Sequence, residues 1–193
     1  MRIAHCTVAL AALLFPAAAG FGQTPSAKPT DFTVFFQGVA IGAEQVTVTR
    51  TPQGISIEGN ERIGPPLNII ARRAEFRYTT DWRPLECIVE GSLGDLQVFV
   101  HTTVSGTSAT TALTQGRNSG QKTDEIAPDA LLLPNIFFGA YEAVAARLLN
   151  AKAGDELPGY IPPQSSLKIS VTSVADDRVR TQNGLLLVRR YTL

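Results

Sequence analysis

The chain has 193 residues, with 17 Lys plus Arg balancing 17 Asp plus Glu, a formal net charge of zero, and 44% hydrophobic residues. That balance excludes the basic footprint of a nucleic-acid binder and the polybasic patch of a membrane-surface protein. Two Cys and two His are too few for a disulfide scaffold and argue against a zinc site, which needs several such ligands.

The N-terminus carries one positive charge at Arg2, an apolar run from Val8 to Phe15, then Pro16 and the small residues Ala17-Ala18-Ala19-Gly20. This is the order of a secretory signal peptide. The run is too short for a bilayer, which takes about 20 apolar residues. Cys6 precedes the small residues rather than following them, which argues against a lipidated N-terminus. Residues 1–22 are therefore read as a removable signal and 23–30 as a short polar tether. Residues 31–193 form one β-rich domain. The expected location is periplasmic or extracellular, with no transmembrane anchor after cleavage. The mature chain then keeps His101, Cys87 and Trp82 as single copies of their kinds.

From Asp31 onward a period of two dominates, with turn residues recurring about every eight to twelve positions. Phe32–Gln37 predicts a first strand and Gly38 to Gly42 a bend, followed by a strand over Ala43–Thr51. Pro52-Gln53-Gly54 reads as a tight turn. Ile55 and Ile57 resume an apolar face up to the stop at Gly64-Pro65-Pro66. Ala74, Phe76 and Tyr78 alternate with Arg73, Glu75 and Arg77, and Leu85, Cys87 and Val89 alternate with Glu86 and Glu90. After Gly94-Asp95 come Leu96, Val98, Val100 and Val104. Two polar strands, Thr107–Thr114 and Gln121–Ile126, are expected at sheet edges.

Asn135–Asn150 breaks this rule, because Phe137, Tyr141, Val144 and Leu148 recur at helical spacing, between Pro134 and Gly154. Pro158–Pro163 reads as an extended connector, and Leu167, Ile169 and Val171 as a strand. Asp176-Asp177 and Asn183-Gly184 mark turns. A long antiparallel sheet must bury one face, and the helix is its available cover. The expected class is mainly β: a strongly curved antiparallel sheet, or an open half-barrel, wrapped around one amphipathic helix.

No catalytic set emerges. There is no Gly-x-Ser-x-Gly elbow, no phosphate-binding glycine loop in a strand-to-helix context, and no spaced calcium-loop pattern among the acidic pairs. Cys87 falls on the apolar face, where a thiol is a small core residue. His101 reads as a partly exposed strand residue. No cofactor, metal ligand or catalytic residue is assigned. The aromatics Phe76, Tyr78, Phe137 and Tyr141 are expected to face the space between sheet and helix. If that space is incompletely filled, they line a pocket for an apolar small molecule or lipid.

Three segments carry a resemblance: Phe32–Val46 (FTVFFQGVAIGAEQV), Tyr78–Glu86 (YTTDWRPLE) and Leu132–Glu142 (LLPNIFFGAYE). They are similar to the β-rich N-terminal region that precedes the catalytic domain of some exported bacterial α/β-hydrolases. More loosely, Gly38-Val39-Ala40-Ile41-Gly42 resembles exported envelope proteins of unassigned function whose curved sheet encloses a helix, as in lipoprotein carriers. The resemblance implies a non-catalytic accessory or binding domain. It also implies a hydrolase domain in cis beyond Leu193, holding the Ser, Asp and His of that family. Leu185–Leu193 reads as mid-strand, in keeping with a chain that continues.

Overall fold

A computed structural model describes residues 27–134, 137–181 and 184–193; the signal segment 1–22 and the first part of the tether lie outside them. The domain is mainly β. Eight strands form one antiparallel meander in sequential order: β1 (Thr30–Phe36), β2 (Val39–Thr51), β3 (Gly54–Ile63), β4 (Ile69–Tyr78), β5 (Pro84–Leu93), β6 (Leu96–Ser105), β7 (Ser108–Gln115) and β8 (Asn118–Glu125). The sheet stays open, since among the described residues β1 and β8 have no partner strand on their outer sides.

Two-residue loops join β1 to β2, β2 to β3, β5 to β6, β6 to β7 and β7 to β8. Such short connections commit neighbouring strands to antiparallel pairing and set their register. Alternation then decides which face is buried. Ile55, Ile57, Ala74, Phe76, Tyr78, Cys87, Val89, Val98, Val100 and Ala109 all point into one core. Burying a Val-, Ile- or Phe-sized side chain contributes about 1.5–3 kcal/mol, so this face is the main source of stability. The opposite face carries paired charges such as Arg72 with Glu90 and Arg77 with Glu86.

The chain crosses the buried face through β9 (Leu131–Leu132), a 3₁₀ turn at Phe138–Ala140 and α1 (Tyr141–Leu148). β9 pairs in parallel with β10 (Glu156–Ile161), which pairs antiparallel with β11 (Ser165–Ser170). A hairpin of β12 (Ser173–Thr181) and β13 (Gly184–Thr192) forms a sheet of its own. Helix α1 buries Ala143, Val144 and Leu148, and Arg147 ties it to Asp129 at 2.7 Å.

Several expectations are corrected. The helix is shorter than Asn135–Asn150, because Phe137 adopts extended backbone (φ −157°, ψ 113°) and drops into the core instead of continuing a helical stripe. β2 starts at Val39, so the expected bend over Gly38 to Gly42 is a turn at Gln37-Gly38 followed by a β-bulge at Ile41 inside the strand pair, and Thr30, placed in the tether, already pairs with Val46. Pro158–Pro163 is not a plain connector: most of it is the central strand of the second sheet. Asp176-Asp177 lies inside β12, where each aspartate faces an arginine (Arg189 and Arg190) rather than forming a turn. β8 is an edge strand, whereas β7 is interior.

Candidate functional site

Two glutamates break the apolar pattern of the buried face. Glu44 on β2 lies directly opposite Glu61 on β3, and they are only 3% and 2% exposed. Each sits in phase with apolar neighbours, Glu44 with Val46 and Glu61 with Ile57 and Ile63. The signal was present in the sequence, where these two acids fall on the apolar beat of their strands. The two-residue loop at Pro52-Gln53 pairs Thr51 with Gly54 and, seven steps further from the turn, Glu44 with Glu61.

The 3₁₀ turn closes over this pair. The Phe138 backbone N–H donates to Glu44 Oε2 at 3.1 Å. The turn is seated by Phe137, which stacks on Phe76 with ring centroids 5.7 Å apart. Close packing here depends on two glycines. A Cβ on Gly59 would stand 2.1 Å from the Gln45 carbonyl oxygen and 2.8 Å from the Phe137 ring. A Cβ on Gly139 would stand 2.6 Å from that ring and 2.7 Å from Glu44 Oε1.

Burial is the largest influence on both acids. It raises Glu44 above the ordinary carboxylate range, against the opposing effect of hydrogen bonds from Glu61 and from the Phe138 and Gly139 N–H groups. Burial, followed by repulsion from Glu44, pushes Glu61 up to about 8. The pair therefore titrates as a unit. Near neutral pH Glu61 keeps its proton, which is shared in a hydrogen bond with Glu44. Glu44 Oε1 and both Glu61 carboxyl oxygens lack a geometric hydrogen-bond partner beyond that shared proton. Among the described residues no cation forms an ion pair with either acid, although twelve other ion pairs are present.

Glu44 also forms part of the floor of a groove of about 470 Å³ between β1 and the turn leading into α1. Its walls include Phe32, Phe35, Val46, Phe138 and Tyr141. Glu142 stands at the rim, already paired with Arg50 at 3.1 Å. A larger hollow of about 800 Å³ lies at the rim of the sheet, around Gly42, Arg62, Gly64 and Asp95. It is bounded by the ends of β2, β3 and β4 and the loops beside them, and carries no buried polar group without a partner.

The four aromatics expected to line a pocket are divided. Phe76, Tyr78 and Phe137 are packed in the core at no more than 1% exposure. Tyr141, at 51% exposure, borders the groove. Phe138, absent from the expected set, joins it there. Cys87 is fully buried, and burial raises its thiol pKa, which keeps it protonated and unreactive. His101 Nε2 lies 2.8 Å from Glu86 Oε1 on the outer face, remote from the buried carboxyls. Among the described residues, no group of three or more His, Cys, Asp or Glu gathers in a metal-binding arrangement, and no helix is long and apolar enough to cross a membrane.

The architecture defines a mainly β domain whose open antiparallel meander is covered on one face by a short helix and a small second sheet. No family model, curated protein or solved structure matches the chain.

Proposed function

We propose that this chain is an exported, non-catalytic accessory domain that binds an apolar, lipid-like ligand in the groove between β1 and the Phe138–Tyr141 segment. The observation that carries this reading is the groove itself. About 470 Å³ of space is bordered by aromatic side chains that an open-sheet protein would otherwise leave facing water. Phe32, Phe35 and Phe138 are between 46% and 63% exposed, and a chain-like ligand laid along them removes that apolar surface from solvent. Sites of this size and character suit small apolar ligands.

Native mass spectrometry of the protein purified from its own host tests for a retained ligand, and the same intact mass reads whether residues 1–22 have been removed. Titration with decan-1-ol tests the groove directly. Uptake is expected in the wild type, with roughly tenfold weaker binding in Phe35→Ser Phe138→Ser, since each substitution removes apolar contact area. A clean apo mass together with no uptake of the alcohol overturns the reading.

A second reading attaches this domain to an α/β-hydrolase catalytic domain in cis. It is favoured by the β12–β13 hairpin, where Val179, Leu185, Leu186 and Leu187 are 47–71% exposed. An isolated two-stranded hairpin is marginally stable in water, and a neighbouring domain would cover it. A stop codon directly after Leu193 in the gene overturns this version.

A further inference from the structure

The groove has an apolar wall and a charged floor, and the two together specify more than an apolar ligand. We infer that Glu44, which lines the groove and is backed by Glu61 across the strand pair, forms a subsite for the protonated amine of a ligand whose apolar chain lies along Phe32, Phe35, Phe138 and Tyr141. The inference rests on the groove being a binding site.

Charge complementarity selects the amine. A buried ionised carboxylate is costly unless a cation or several hydrogen bonds satisfy it. Glu44 receives the Phe138 N–H, yet its Oε1 and both oxygens of Glu61 keep unused acceptor capacity. No lysine or arginine of the described residues reaches them, although Arg50 stands at the groove rim, engaged with Glu142. An –NH₃⁺ group offers three donors and one positive charge, which matches that unused capacity. An alcohol supplies a hydrogen bond but no charge. A fatty carboxylate adds a like charge to the pair and is rejected. The ammonium pairs with the Glu44 carboxylate as an ion pair and hydrogen-bond donor. No covalent bond changes.

Three probes of equal chain length test the inference by calorimetry at pH 7, below their micelle-forming concentrations: decylamine, decan-1-ol and decanoate. Decylamine is expected to bind on the order of tenfold more tightly than decan-1-ol, and decanoate more weakly than either. In Glu44→Gln Glu61→Gln the amine preference disappears while decan-1-ol binding is kept. Glu90→Gln, which removes a carboxylate on the opposite face of the sheet paired with Arg72, leaves the preference in place. The comparison of amine with alcohol is made on the wild type, so it stands even if the double variant fails to fold. Equal affinity for amine and alcohol, or tighter binding of decanoate, overturns the amine subsite and leaves the apolar groove standing. Failure of all three probes to bind removes both.

Discussion

The buried face holds two polar cross-strand pairs that differ in what they leave unfinished. Thr102 on β6 lies opposite Thr111 on β7. Both are fully buried, and their hydroxyls share a hydrogen bond of 2.8 Å. Glu44 and Glu61 occupy the equivalent arrangement on β2 and β3, equally dry, but with acceptor capacity to spare and a proton that the two acids must share. The threonine pair is neutral and extends into further polar contacts: Tyr160, whose hydroxyl donates to Asp124 at 2.7 Å, is pushed up to about 12 by burial and by that aspartate. Its network ends at Lys122, which bridges Asp124 and the Pro163 carbonyl. The glutamate pair ends at a groove. A satisfied polar pair specifies a packing arrangement, whereas an unsatisfied one beside open space is poised to receive a ligand.

The largest expected effect breaks this comparison through pH. Glu61 titrates near 8 in the folded chain against an ordinary value of 4.5, so the folded state binds more protons than the unfolded state between those values. Stability is then greatest below about pH 4.5 on account of this group, falls as pH rises toward 8, and levels off beyond it. The decline is on the order of 5 kcal/mol. Urea denaturation at pH 5 and at pH 8.5 should show it in the wild type, and Glu61→Gln should flatten it and raise stability at the higher pH. An unchanged slope in the variant would assign the decline to other groups.

The threonine pair sharpens the contrast with a smaller effect that ignores pH. Thr111→Val strands the Thr102 hydroxyl and is expected to cost about 2 kcal/mol. Thr102→Val Thr111→Val removes both partners together and should recover much of that loss, because two apolar groups of like shape replace the hydrogen bond. A double-mutant cycle by chemical denaturation measures the coupling, and additivity of the two losses would mean that the pair is not a unit.

The smallest effect comes from the groove rim. Arg50 pairs with Glu142 and lies over the Trp82 ring, 5.7 Å from its centroid. Arg50 and Glu142 side chains are 56% and 41% exposed, so Arg50→Ala should change stability by less than about 1 kcal/mol. A thermal melt checks this. A larger loss would mean that the rim holds the turn over the glutamate pair.

Much of this molecule was legible in the order of its residues. Alternation of apolar and polar side chains depends on backbone geometry within one strand, so it placed Cys87, Phe76 and Val89 on the buried face without reference to distant residues. The same local rule put Glu44 and Glu61 in the apolar phase, and the tight loop at Pro52-Gln53 implied their opposition. The shorter helix and the strand role of Pro158–Ile161 were hidden, because each depends on partners remote in the chain. Phe137 leaves the helical stripe for Phe76 and Gly59, and β10 exists because β9 and β11 flank it.

The sequence by itself determined a mainly β chain with one buried face, since strand periodicity and turn chemistry are local properties. Tertiary structure alone decided that the Phe138 N–H meets Glu44 across 94 positions and that β1 stands beside the same turn. Contacts over such separations are selected by how whole faces pack. That packing set one of two out-of-place acids, Glu44, against a groove and buried the other behind it.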